Sequence, residues 1–161
     1  MKNLSLIFLS ALFACNTQSV SISDEYKTSQ TQIIHQLLDN WHKAAADADL
    51  ENYFNKMSDD AIYLGTDAGE RWTKDEFYKF CKPYFEKGKA WNFKPSNRHI
   101  YFSDDVKTAW FEETLDTWMG NCRGSGILVF KENNWKIKHY NLAVAVPNNI
   151  IKKYVKLLKK K

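Results

Sequence analysis

The stretch Trp135-Lys136-Ile137-Lys138-His139-Tyr140-Asn141-Leu142-Ala143-Val144 sorts its side chains by twos. Alternate residues of a β-strand face opposite sides. Trp135 and Ile137 therefore point one way together with His139 and Asn141, and Lys136 and Lys138 point the other. An imidazole and an amide thus continue an apolar row. A polar group turned toward a core loses roughly 1–3 kcal/mol unless it finds a partner, so this row implies either a polar cavity or a satisfied network. The opposite row continues as Tyr140, Leu142, Val144 and Val146. Apolarity on both faces of one strand end suggests a partner surface there.

Three strand-like segments precede this one, at 91–102, 108–119 and 122–131. Ser103-Asp104-Asp105, Gly120-Asn121 and Asn133-Asn134 supply turn composition between them. Upstream the period changes. Ile33, Ile34, Leu37, Leu38, Trp41, Ala44, Ala45 and Ala48 follow the spacing of an amphipathic helix over 31–48. Asp49 is placed to cap a short second helix carrying Leu50, Tyr53, Phe54 and Met57. Residues 60–65 read as a strand and 66–70 as a loop. Thr73-Lys74-Asp75-Glu76 has capping-box spacing and opens a third helix, with Phe77, Phe80, Cys81, Tyr84 and Phe85, that ends at Gly88. Helices followed by an antiparallel meander make an α+β domain.

The N-terminus carries an address. Lys2 precedes an apolar run over 4–13 that is too short to span a bilayer but has the length of a secretory signal's hydrophobic region. Leu12-Phe13-Ala14-Cys15 resembles the lipobox of bacterial lipoproteins, in which the cysteine is acylated and becomes the new N-terminus. The alternative is an ordinary signal peptide cut near Ala14. The expected organisation is a signal peptide at 1–14, a Ser/Thr/Gln-rich flexible tether at 15–29, one domain at 30–147 and a basic helix or tail at 148–161.

Of the 161 residues, 23 are Lys or Arg and 19 are Asp or Glu. That excess is local, since Lys152, Lys153, Lys156, Lys159, Lys160 and Lys161 crowd the end of the chain. Without the leader and this end the domain is slightly acidic, which argues against a nucleic-acid surface. Its aromatic residues fall at core-like spacing, not interleaved with arginine. Cys81 and Cys122 lack zinc-site spacing and read as buried free thiols, with a disulfide as the alternative. No HExxH, GxSxG or clustered ligand spacing occurs, so neither a metal nor a cofactor is expected. Arg123-Gly124-Ser125-Gly126 leads into a strand rather than a helix, so its glycines suit a bend or bulge better than a phosphate loop.

The order of these elements, with Trp41-His42-Lys43-Ala44-Ala45, 60–67, Thr108-Ala109-Trp110-Phe111-Glu112-Glu113 and Trp135-Lys136-Ile137-Lys138-His139-Tyr140, resembles the nuclear transport factor 2-like superfamily and, within it, the SnoaL-like group. The resemblance covers roughly 29–147. It implies an α+β cone in which three N-terminal helices pack on a strongly curved antiparallel sheet, with an interior that often holds a small apolar ligand. The group includes polyketide cyclases and ketosteroid isomerase relatives, so cofactor-free isomerisation, dehydration or cyclisation is the enzymatic alternative to simple binding.

Strand alternation then nominates the lining. The row Ala109, Phe111, Glu113, Leu115 turns Glu113 inward, although the opposite row, with Trp110 and Trp118, leaves Glu112 as the alternative acid. Arg98 shares a row with Ile100 and Phe102. The expected ligand pocket is Trp41, Trp72, Arg98, Glu113, His139 and Asn141, with His139, Glu113 and Asp67 as catalytic candidates. A carboxylate beside an imidazole suits proton transfer and an arginine suits oxyanion binding. The same residues also suit a purely structural ion network. Asp67, with Glu70, Arg71 and Trp72, falls near the cone's expected mouth; isomerase relatives place their base near this strand end, at a position that aligns with Gly65 or Thr66, so Asp67 is only approximately in register with it. His42 reads as a partly exposed boundary residue. The expected partners are a small apolar or amphipathic molecule, a membrane reached through a lipid anchor at Cys15, and a second copy of the chain on the outer sheet face.

Overall fold

Ser23 sits in extended conformation and its hydroxyl accepts from the Tyr26 amide, which starts the first helix earlier than its apolar period does. The computed structural model describes residues 22–159; the expected signal peptide and residues 15–21 of the expected tether, with Cys15, lie outside the described residues. Helix α1 runs Asp24–Ala46, so residues 24–29, read as tether, are helical. Ala48 in left-handed conformation breaks the chain, and Asp49 caps α2 (Leu50–Asn55) by accepting from the Asn52 amide at 3.0 Å. Strand β1 (Met57–Leu64) and the short β2 (Arg71–Thr73) follow. The Thr73 and Glu76 capping box forms and opens α3 (Lys74–Glu86), with Gly88 at φ +65 just past its end.

The meander is β3 (Lys94–Phe102), β4 (Thr108–Thr117), β5 (Gly120–Lys131) and β6 (Asn134–Val144), followed by helix α4 (Ile151–Leu158). Glu132 and Asn133 both take positive φ, the two-residue turn that matches strand twist. One six-stranded sheet results, in the order β2-β1-β6-β5-β4-β3, antiparallel except where β1 runs parallel to β6. The helices are not an uninterrupted N-terminal set, because β1 and β2 intervene before α3 and α4 follows the sheet.

α1 packs toward β3 and α3 toward β1 and β2, and aromatic rings fill the space between them. Trp41 stacks on Tyr53 at 4.9 Å and meets Tyr140 edge-on at 4.7 Å, while Tyr63 stacks on Phe77 at 3.8 Å. Each such pair adds about 0.5–1.5 kcal/mol beyond the area it buries. Cys81 and Cys122 are both free and buried.

Strand β6 does not alternate along its whole length. Leu128 pairs with Ile137, but the next residue back on β5, Ile127, pairs with His139, leaving Lys138 as an extra residue. A β-bulge of this kind shifts the alternation by one. Trp135 and Ile137 face the core, and beyond the bulge Tyr140 and Leu142 take over that face. His139 and Asn141 turn to the outer face, against the inward assignment. For the same reason Tyr140 and Leu142 are core residues and not part of an outer apolar row.

Candidate functional site

The inward row of β4 is Ala109, Phe111, Glu113 and Leu115, all at most 2% exposed, which resolves the choice between Glu112 and Glu113. Glu113 is fully enclosed and meets Arg98 from β3, as alternation anticipated. Arg98 Nε donates to Glu113 Oε2 at 2.8 Å, while its Nη1 donates to Asp39 Oδ1 at 2.8 Å and to the His35 carbonyl at 3.1 Å. The imidazole that completes the set belongs to His42. Its Nε2 lies 2.7 Å from Glu113 Oε1, and because an ionised carboxylate only accepts, the imidazole donates. Burial by itself pushes the Glu113 carboxyl up, but the hydrogen bond and charge of His42 and those of Arg98 outweigh it and hold the group below the usual carboxylate range.

This network ties α1 to β3 and β4. It had a signal in the sequence, since Gln30, Ile34, Leu38 and His42 form an i, i+4 row and all four are buried. Gln30 belongs to the same pattern: its Oε1 accepts from the Trp135 indole at 2.8 Å. His42 thus lies within the buried face of α1 and not at its exposed boundary, against the expectation from its place beside Trp41. Nearby, the Tyr140 hydroxyl, Trp41 Nε1 and Arg98 Nη2 are buried without a partner among the described residues. Burial, with the neighbouring Glu113 charge, pushes the Tyr140 phenol well up, so it stays protonated.

The cleft of the fold lies elsewhere. It has a volume of about 310 Å³, at the lower end for small-ligand sites, and is lined mainly by Tyr63, Trp72, Phe77, Phe80, Tyr84, Trp91, Phe93, Trp118, Met119 and Leu142. Trp72 stacks on Phe80 at 4.9 Å and on Phe77 at 5.5 Å, and Phe77 and Phe80 are inclined by only 15°. The near-parallel rings give one wall the character of a stacked slab. Glu70 is the carboxylate in the lining and Lys89 the cation. Glu70 Oε2 accepts from the Asp67 amide at 3.1 Å, and its side chain crosses Gly65, where any Cβ would collide with it.

Of the residues expected to form a pocket, only Trp72 lines this cleft. Trp41 is a core residue, stacked and enclosed. Arg98 and Glu113 come together, but Tyr140 packs between Tyr63 of the cleft and the Trp41 and Phe111 rings beside that pair. His139 and Asn141 face outward because of the bulge. Asp67 does not line the cleft; its Oδ1 accepts from the Gly69 amide at 2.9 Å, a bond that shapes the loop. That turn is what brings Glu70 over the cleft, a consequence of loop geometry invisible to strand alternation. Among the described residues no cluster of three or more His, Cys, Asp or Glu side chains is arranged to hold a metal ion.

No curated protein matches the chain. Several solved structures share its fold at low sequence identity. An NTF2-like protein of unknown function from Pseudomonas putida KT2440 is 13% identical, with a TM-score of 0.64 over 75% of this chain and 90% of its own. A candidate scytalone dehydratase from Novosphingobium aromaticivorans is 12% identical, with a TM-score of 0.66 over 77% of this chain and 89% of its own. The association domain of CaMKII from C. elegans is 15% identical, with a TM-score of 0.61 over 75% of this chain and 100% of its own. The sequence profile of the SnoaL-like domain matches residues 34–147, which span α1 from Ile34 through the end of the sheet, and the chain belongs to that family.

Proposed function

We propose that this SnoaL-like domain is exported, held at a bacterial membrane by a lipid on Cys15, and binds a small, largely apolar molecule in the aromatic cleft. The observation that carries the binding reading is the lining itself: a slab of parallel rings beside one carboxylate fits a planar skeleton bearing a hydroxyl or amine that donates to Glu70. Titration of tryptophan fluorescence with 2-naphthol and 2-naphthoate tests it. The naphthol is expected to bind more tightly than the anion, and Trp72→Ala to weaken it roughly tenfold. Equal affinities in both comparisons would remove the cleft from consideration.

Enzymatic use of the same cleft, without a cofactor, is the alternative, supported by the Glu70 carboxylate and by the fold shared with a candidate dehydratase. Glu70 is then the acid or base, and Glu70→Gln should stop turnover while naphthol still binds.

The address rests on the leader. Cys15→Ser is expected to accumulate unprocessed precursor and to lose labelling by a radioactive or alkyne-tagged fatty acid; normal processing of that variant would refute lipid anchoring.

Self-association is the reading for the outer face of the sheet. Tyr101, Trp110 and Ile127 pair in register across β3, β4 and β5, and continue through His139 to Ile62. The Tyr101 and Trp110 rings stack at 5.9 Å with 44% and 45% of their surface exposed. A second copy laid on this row would bury it. Sedimentation velocity should show a dimer that Trp110→Glu converts to monomer.

A further inference from the structure

Helix α4 has no buried residue. Ile150, Ile151, Tyr154, Val155, Leu157 and Leu158 are each between 39% and 58% exposed. At 100° per residue these side chains fall in one unbroken arc of roughly 160°. Lys152, Lys153, Lys156 and Lys159 occupy the complementary arc, and no acidic residue occurs anywhere after Glu132. The helix is therefore a cationic strip bordered by an aliphatic one, on a chain whose domain is otherwise slightly acidic.

Its point of departure matters as much as its composition. The Ala145 amide donates to the Asn121 carbonyl at 2.9 Å, so the chain leaves β6 beside the β4–β5 turn. That turn holds Trp118 and Met119, both in the lining of the cleft, and Trp118 is 85% exposed. The cleft's rim and the origin of α4 thus share one end of the sheet.

We propose that α4 is a membrane-surface helix, lying on anionic lipid headgroups with its apolar arc in the acyl boundary, and that it holds the rim of the cleft and Trp118 against the bilayer. Charge complementarity selects an anionic partner, and size selects a lipid surface over a protein. Two helical turns, about 12 Å long, present far less than the roughly 800 Å² per side of a stable protein interface. A bilayer asks only for a continuous apolar arc with lysines whose aliphatic stems let the ammonium groups reach the headgroups. Contact with lipid is independent of the cleft's ligand. The orientation of the rim extends the binding reading, since an apolar molecule could then pass from the bilayer into the cleft without crossing water.

The test uses the chain from Ile22, which contains every described helix and strand and the whole core, with folding verified by circular dichroism. Vesicles of phosphatidylglycerol and of phosphatidylcholine are compared by cosedimentation at low and high salt. Binding is expected to the anionic vesicles only, to weaken on adding salt, to fall roughly fivefold for Lys156→Ala, and to vanish when Lys152, Lys153, Lys156 and Lys159 are all changed to Glu. Val155→Asp with Leu158→Asp should abolish it too. Because these side chains are exposed, the variants leave the thermal midpoint unchanged. Vesicles carrying brominated acyl chains should quench tryptophan emission, and Trp118→Phe should remove a large part of that quenching. Binding that ignores lipid charge, or survives the quadruple Glu change, overturns the proposal. Salt-sensitive binding with quenching indifferent to Trp118→Phe overturns the rim's orientation. Failure of 2-naphthol to bind the cleft leaves the vesicle result intact, so the two readings fail separately.

Discussion

Glu113→Ala is expected to lower the unfolding free energy by about 3–5 kcal/mol at pH 7, because it removes the enclosed partner of both the Arg98 guanidinium and the buried His42 imidazole and leaves Arg98 only the more exposed Asp39 carboxylate. Few single changes in this chain should cost more. The pH dependence follows from the direction in which Glu113 is displaced. Its carboxyl is held below the usual carboxylate range in the folded protein. The network's contribution is then complete above the unfolded reference of about 4.3 and is lost as pH falls through the lower folded value. Urea unfolding of wild type and Glu113→Gln at pH 7, and in steps from pH 5 downward, should show a gap that closes only on the acid side. A gap that stays constant to pH 2.5 would mean that the carboxylate is not the ionised centre of this network. Replacing His42, Arg98 and Glu113 together with Leu, Met and Leu should recover much of the loss, since an apolar set avoids the desolvation that the charges must overcome.

That network also measures how far the sequence could be read. β4 was legible because Ala109, Phe111, Glu113 and Leu115 keep strict alternation and no bulge interrupts them. The caps at Asp49 and Thr73, and the stop at Gly88, were legible because each is a local hydrogen-bond or backbone requirement. His42 escaped because helix faces are broad: a polar residue one position from Trp41 can sit at the stripe's edge or in its middle, and only the approach of β4 decides which. Glu70 was placed near the mouth, but its reach over Gly65 depends on a loop conformation that no period encodes.

β6 failed for a different reason. Period-two alternation is reliable only while the register holds, and one unpaired residue reverses every side chain after it. The glycines of β5 did signal something. Gly126 lies next to the bulge, and a Cβ there would strike the His139 carbonyl and come within 2.8 Å of the Phe111 ring. The sequence thus indicated that the sheet bends near β5, but not that the extra residue lay across the ladder in β6. Reading Gly124 and Gly126 together with Tyr140 would have been the better clue, because a large side chain on the core side requires absent Cβ atoms opposite it. A Cβ on Gly124 would likewise collide with the Tyr140 hydroxyl.

Deletion of Lys138 should therefore leave the domain folded, although removing a residue from the middle of a strand ordinarily does not. Leu128 pairs with Ile137 and Ile127 with His139, so taking out the residue between them closes a regular ladder. Strict alternation from Ile137 then keeps His139 and Asn141 on the outer face and Tyr140 and Leu142 in the core. What is lost is the local bend of the bulge and the surface contact between Lys138 and the exposed Asp60. In a strand that alternated strictly through Lys138 the same deletion would exchange the faces of every residue from His139 on. Each large apolar side chain moved out of the core would then cost roughly 1.5–3 kcal/mol, and each polar one moved in without a partner roughly 1–3 kcal/mol. Their sum approaches the 5–15 kcal/mol that typically holds a domain together. Near-ultraviolet circular dichroism, sensitive here to the packed rings of Trp41, Tyr53, Tyr63 and Tyr140, should therefore be retained in the deletion as it is in Lys138→Ala. A deletion variant that loses the native near-ultraviolet spectrum while Lys138→Ala keeps it would show that Lys138 is not the extra residue that sets the facing of β6, and would return His139 and Asn141 to the interior.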